Sequence, residues 1–292
     1  MEPTPTLARS FWTAIEPIHS VVYFAPEPIA AMKSLGLRGF WMGYFAGRFA
    51  PLGALGPAPV AAMCYSFAPA LAARALPDAW RYASPSQCLD ARVSGAVTAL
   101  RAHVSPALLE SFHELATVLW TAVDGCQFEG RPLAAGWASV PRPPSGDPAS
   151  DPVASAWLAA TVLREHRGDG HVMACLGAGL RGLDAAVTHV ATGAITRGLI
   201  QPTRGWTDAD WTSSERRLQA RGLLDSGGRL TKSGGALRRD VESLTDRLAA
   251  GPVERLGETG VKEATALAAP IARCLMDARV IPLPNPVGVS RP

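Results

Sequence analysis

The chain has 292 residues, 48% of them hydrophobic, enough for one large domain or two modest ones. Its 28 Lys and Arg against 25 Asp and Glu leave a formal charge of +3, which excludes a protein dominated by phosphate contacts and makes any nucleic-acid face local. Five cysteines, scattered and nowhere in a Cys-x-x-Cys pair, exclude a disulfide framework and a structural zinc site and point to reduced thiols in a cytosol.

The first thirty residues carry Glu2, Arg9, Glu16 and Glu27 and lack a charged start followed by an apolar run, so a cytoplasmic protein is expected. Within Pro17–Phe24 an imidazole and a phenol share an apolar setting, which makes His19 and Tyr23 candidate ligand contacts. The cofactor is open at this level; a flat group such as haem would use His19 or His171. From Leu37 to Arg48, Gly39, Gly43 and Gly47 recur every fourth residue and give one helix face without side chains, at about 1 kcal/mol of helix propensity per glycine. Either close helix packing offsets that cost, or a planar ligand lies on the ridge beside Trp41 and Tyr44, with Arg48 pairing its acidic group. Phe49 to Ala73 is uncharged, but four prolines and two glycines break it, so a buried loop and helix is expected and no membrane partner.

Helical periodicity follows: Leu89, Val93, Val97 and Leu100 form one stripe, and Leu108, Phe112, Leu115 and Leu119 another behind the start signal Ser105-Pro106. The turn-rich stretch 139–153 reads as a linker between a helical, ligand-binding domain over 1–138 and a helical/winged-helix domain over 154–280, with 281–292 a loose tail. Trp157, Leu158 and Val162, then Leu183, Val187 and Val190, mark two more helices. Between them Gly168-Asp169-Gly170 predicts a break. On a continuous helix His166 and His171 would point about 140° apart. A turn would bring His166, Asp169 and His171 together as a catalytic acid-base group, the aspartate raising the imidazole pKa, with Arg167 beside the ligand. The alternative is that the glycines cap one helix and start another while the charges bridge the two domains. The spacing suits no metal site, and Gly177–Gly182 fits G-x-G-x-x-G without a preceding strand.

Residues 206–251 give the most consistent local signals. Thr207 and Asp210 form a capping box for a helix from Asp208 to Arg221, Gly222 fits a left-handed cap, and Ser226-Gly227-Gly228 suits the turn of a short hairpin. Leu237, Val241, Leu244 and Leu248 then mark a helix that Gly251-Pro252 should stop. The run from Arg204 to Ala249 resembles the winged-helix module of MarR-type regulators. The whole chain, with LRGFWMGYFAGRFAPLG and REHRGDGH, resembles a family of actinobacterial proteins of similar length named for a helix-turn-helix domain, in keeping with its three lysines and abundant Arg and Ala. The resemblance implies a winged helix and binding to double-stranded DNA, and carries no agreed reaction. In such a module Arg216, Arg217 and Arg221 lie on the recognition helix and Arg229 and Lys232 beside the wing. Asp208, Asp210, Glu215 and Asp225 interleave with these cations, so a solvated mixed surface, or a winged helix kept for packing or dimerisation, is the competing reading.

The expected fold is mainly α, with a helical N-terminal domain and a C-terminal winged-helix domain carrying a short β-hairpin. The expected function is a homodimeric transcriptional regulator that binds DNA and responds to a planar small molecule. The alternative is an enzyme or cofactor-binding protein of specialised metabolism or self-resistance that uses the His166, Asp169 and His171 turn.

Overall fold

The computed structural model describes residues 4–141 and 151–292, in which fifteen α-helices account for nearly all regular structure. Before the central segment lie α1 (Thr4–Phe24), α2 (Pro26–Ser34), α3 (Gly39–Phe49), α4 (Pro57–Met63), α5 (Pro69–Ala73), α6 (Pro85–His103), α7 (Pro106–Glu110), α8 (Phe112–Val123) and α9 (Pro132–Ala138). After it come α10 (Pro152–Gly177), α11 (Gly182–Val190), α12 (Arg197–Arg204), α13 (Asp208–Ala220), α14 (Lys232–Leu248) and α15 (Ala250–Asp277). Many of the prolines find their use here. Seven of the described helices, α2, α4, α5, α6, α7, α9 and α10, begin with proline, where its fixed φ suits the helix and its missing N–H costs no bond.

Helix α10 is the axis of the molecule and packs against α1, α6, α8, α9 and α14, while α1 lies along α15. The largest apolar cluster therefore joins residues from both sides of the expected linker, among them Ile18, Leu100, Leu115, Trp157, Ile271 and Leu275. A second cluster centres on Phe45, Phe49, Leu71 and Leu76, and a third on Leu183, Trp211, Leu218 and Val241. Of the linker 139–153, residues 142–150 lie outside the described residues. The tail expected to be loose is tied down: Asn285 is buried, donates to the carbonyls of Pro282 and Val289, and accepts from the Val287 and Val289 amides.

A mainly α fold stands, but the winged-helix domain with its hairpin does not. Among the described residues there is no β-strand, and residues 223–231 form one antiparallel bridge, Leu224 to Leu230. Gly222, at φ 68°, has just ended α13, and the Thr231 hydroxyl already caps α14 by accepting from the Gly234 amide, so no room remains for a ladder. Asp225 takes the turn's donors instead, accepting from the amides of Gly227 and Arg229 and from Arg229 Nε.

Three other local expectations change. Ser111 divides the helix expected behind Ser105 into α7 and α8. Gly251-Pro252 does not stop the chain; both sit in the first turn of α15. Gly168-Asp169-Gly170 does not break α10 either. A Cβ at Gly170 would lie 2.8 Å from Arg131 Nη1 and 3.2 Å from Leu248 Cβ, so this glycine admits neighbours rather than bending the backbone.

Gly234 and Gly177 separate the two roles of helical glycine. A methyl at Gly234 would run into the Leu223 carbonyl, whereas one at Gly177 meets nothing within 4 Å. Gly234→Ala should lower stability by about 2 kcal/mol or more, and Gly177→Ala should raise it by up to about 1 kcal/mol, as read from urea midpoints.

Candidate ligand cavity and helix-turn-helix

A cavity of about 1060 Å³ opens between α1, α3, the 63–67 segment, α10, α11, α12, α14 and residues 286–288. One wall is aromatic. Trp41, Tyr44 and Phe67 pack edge-on or tilted with ring centroids 5.4–5.8 Å apart, and Tyr23 lies 5.6 Å from Tyr44. Trp41 and Tyr44 come from α3, Phe67 from the 63–67 segment and Tyr23 from α1. A Cβ at Gly43 would meet Met32 Cβ at 3.0 Å, and one at Gly47 would meet Met32 Cε at 3.0 Å and Arg92 Cδ at 3.3 Å. Of the two readings of the ridge, close packing against α2 and α6 is the observed one.

Charged side chains stand on and behind the rest of the lining. Arg48 Nε and Nη2 grip both oxygens of Glu165 at 2.9 and 2.8 Å, and its Nη1 donates to Tyr44 Oη at 2.8 Å. Arg48 is thus not free to pair with a ligand acid; Glu165, 117 residues away in sequence, has taken its fork. Arg164 bonds the same carboxylate at 2.9 Å and reaches Glu16 at 3.3 Å, while Trp12 Nε1 donates to Glu16 at 3.0 Å. Burial alone would raise the Glu165 carboxyl, but Arg164 and Arg48 overturn that and hold it well below the usual carboxylate range. At Glu16 burial wins, and its pKa rises. Toward α14, Arg167 pairs with Asp246 at 2.7 Å, Arg9 pairs with the same aspartate at 2.6 Å, and Arg238 with Glu242 at 2.7 Å.

The three residues expected to converge do not. Asp169 faces α9, where its Oδ2 accepts from the Ala134 amide at 3.0 Å and satisfies a helix start that has no side-chain cap of its own. His166 faces Arg131, whose guanidinium also joins the carbonyls of His166 and Leu248 and so closes the end of α14. His171 faces α14: Thr245 gives its proton to the Val241 carbonyl, so His171 Nδ1–H donates to Thr245 Oγ1 at 3.0 Å and Nε2 lies 3.5 Å from Cys175 Sγ. No imidazole pKa is raised by Asp169. Burial lowers His166 and His171 to about 4 and raises Asp169 to about 6. His19, wholly buried, is likewise occupied. Thr161 donates to the Trp157 carbonyl, which makes His19 Nδ1 a donor to Thr161 at 2.9 Å and Nε2 the acceptor from Tyr23 Oη at 2.9 Å. Neither His19 nor His171 has a nitrogen left for haem, and among the described residues no group of His, Cys, Asp and Glu is placed to hold a metal.

Below the cavity, α12 ends at Gly205 with φ 76°, and Gly205-Trp206-Thr207 turns the chain into α13. Thr207 and Asp210 close the capping box as the sequence indicates, and Trp211, Ser214 and Leu218 form the buried face of α13. A family model described as a helix-turn-helix family matches residues 8–282. The chain belongs to this helix-turn-helix family. No curated protein and no solved structure matches it. Membership suggests DNA binding, and the match covers α12, the turn and α13 together with nearly all of the cavity's lining.

Of the five cations expected at a DNA face, the structure frees two. Arg217 bonds Asp184 at 2.7 Å, Arg221 bonds the carbonyls of Gly179 and Ala178, and Arg229 bonds Asp225. Arg216 and Lys232 are exposed. No helix among the described residues is long and apolar enough to cross a membrane.

Sequence reasoning passed over Glu16, Arg164, Glu165, Asp184, Arg204 and Asp246. The signal available was the dense charge of Arg164-Glu165-His166-Arg167 inside an apolar helix, where no face is left to carry it to solvent.

Replacing Glu165 by Gln leaves two buried guanidinium groups without their carboxylate and should cost about 3–5 kcal/mol of unfolding free energy, measured by chemical denaturation. Acid should act through the histidines. Their folded pKa of about 4 lies below the unfolded 6.5, so the stability they contribute is complete above 6.5 and lost as pH falls to 4. Asp169, raised from 3.8 to about 6, acts oppositely, contributing below 3.8 and losing that contribution as pH rises through 6. Two histidines outweigh one aspartate, so the melting temperature should fall between pH 6.5 and 4.5, and His166→Leu should flatten that slope, with each imidazole worth about 2 kcal/mol.

Proposed function

We propose that this chain is a DNA-binding regulator whose hold on a duplex site responds to a small molecule in the cavity. The observation that carries the reading is the double use of α12. In this reading α12 is the first helix of the helix-turn-helix, and through Ile200, Thr203 and Arg204 it is also a wall of the cavity. The turn after it rests on the cavity's other wall: the Ala68 amide donates to the Arg204 carbonyl at 2.8 Å and Trp206 Nε1 to the Ser66 carbonyl at 2.9 Å. A ligand that prefers one placement of α12 thereby biases α13, and only such a difference in affinity can shift the equilibrium. The DNA face in this reading is the exposed side of α13, Ser213, Arg216 and Ala220, with Lys232 beside it, and two copies of the chain would present it twice to a two-fold symmetric site.

A second reading has support of its own. The start of α13 is acidic, with Asp208 and Asp210 exposed, and three of the five expected cations are satisfied within the chain. This favours a small-molecule-binding protein or enzyme whose helix-turn-helix serves packing.

Titration with sheared duplex DNA separates them. The regulator should bind with a log K against log salt slope of about −2 per chain for two phosphate contacts, and Arg216→Ala with Lys232→Ala should abolish most of that slope without moving the melting temperature. Binding that is absent, or indifferent to salt, would hand the case to the second reading.

A further inference from the structure

Among the described residues, two arginines of the cavity lining have no carboxylate partner, the exposed Arg239 and the half-buried Arg204. Arg9, Arg48, Arg164, Arg167 and Arg238 each have a carboxylate partner. Arg204 has none: its Nη2 donates to the Pro286 carbonyl at 2.6 Å and its guanidinium lies over the Phe67 ring at 4.3 Å. Burial lowers its pKa, Tyr44 raises it and Arg48 lowers it further; with Phe67 beneath it, the cation stands on an apolar wall with no acid bonded to it. A guanidinium so placed recognises a planar anion, by two parallel N–H bonds to a carboxylate while an adjoining ring system stacks. The rings are there. Trp41 and Phe67 stand perpendicular at 5.8 Å, Phe40 is 40% exposed, and Phe40 packs on Trp41 at 5.0 Å.

We infer that the cavity takes an aromatic carboxylate, its ring against Trp41 and Phe67 and its anion on Arg204. This rests on the cavity reading above and moves the anion partner from Arg48, which is closed on Glu165, to the last residue of α12. The carboxylate replaces the Pro286 carbonyl as the acceptor for Arg204, so binding exchanges a contact with the tail for one with the ligand at the entrance to the helix-turn-helix turn. Recognition and the bias on α13 then share one side chain.

The test is calorimetric titration of the intact protein, without DNA, with benzoate, 2-naphthoate and 9-anthracenecarboxylate, each beside its neutral amide. At least one carboxylate should bind saturably and at least tenfold tighter than its amide. Arg204→Gln should erase that tenfold preference while leaving the melting temperature within a few degrees, and Arg204→Lys should retain part of it. Arg239→Gln, a change at an exposed cation on the same lining, should leave the preference intact. No saturable binding by any of the three acids, equal binding of acid and amide, or a preference that survives Arg204→Gln would each overturn the inference. Since no DNA is present, a failure of duplex binding leaves this result standing, and a failure here leaves the duplex titration to be judged alone.

Discussion

Glu165 is the point on which the architecture depends. It is a carboxylate with no exposed surface in the middle of a 26-residue helix, and it is ionised only because Arg48 from α3 and Arg164 from its own helix close on it. Arg164 in turn needs Glu16 of α1. The chain of charges Arg48, Glu165, Arg164 and Glu16 therefore fixes three helices by directional bonds, in a place where apolar packing alone would tolerate sliding. Such a set is costly to desolvate and is retained only where all its members are present, so its effect is on geometry more than on net stability. On the α14 side a second set, Arg9 and Arg167 on Asp246 with Arg131 across His166 and Leu248, does the same. The cavity is the space between these two clamps. Charged heads that must keep their partners cannot collapse into it.

What makes that space of functional interest is the segment that borders it. The loop after α4 reaches this region at several points: Tyr65 Oη donates to the Leu180 carbonyl ahead of α11, the Ala68 amide to the Arg204 carbonyl, and the Ser66 carbonyl accepts from Trp206 Nε1. Gly182 is glycine because the Tyr65 carbonyl occupies the place of a side chain, and Gly205 keeps a left-handed turn against Leu71. The two regions thus meet through hydrogen bonds to backbone carbonyls and close contacts at glycine, with little slack between them.

The sequence was legible wherever the deciding interaction is local. The stripe Leu89 to Leu100, the capping box at Thr207 and Asp210 and the left-handed Gly222 are all where periodicity and capping chemistry put them. It was illegible wherever the partner is distant. Glycines at 168 and 170 read as a helix break or cap, and only Arg131 and Leu248, brought in from elsewhere in the chain, show that Gly170 instead leaves room for neighbours. Arg48 and Arg217 read as free cations because Glu165 lies 117 residues from the first and Asp184 33 residues from the second. Asp169 read as a partner for imidazole because the start of α9, which it caps, could not be seen from its neighbours in the chain. The hairpin failed for a different reason. Its turn residues were right, but a side chain, that of Asp225, satisfies the backbone donors that strands would otherwise have paired.

The acidic start of α13, which weakens a simple electrostatic case for DNA, has a structural cause. Asp210 closes the capping box, and Asp208 accepts from both Arg197 and Gln201 of α12 at 2.6 and 2.9 Å. Arg197 also lies over the Trp211 ring at 5.2 Å, and Gln201 donates to the Trp206 carbonyl. The first turn of α13 is thus spent on fixing its angle to α12, and any approach to a groove falls to the rest of its exposed side, where Ser213 and Ala220 are small and Arg216 is the one long cation among them. These contacts tie the two helices at a single joint. In the regulator reading proposed above, a shift of Arg204 at the end of α12 would pass through this joint to Arg216, and Asp208, one of the acids that deny α13 a strongly positive tip, is the group that would carry it.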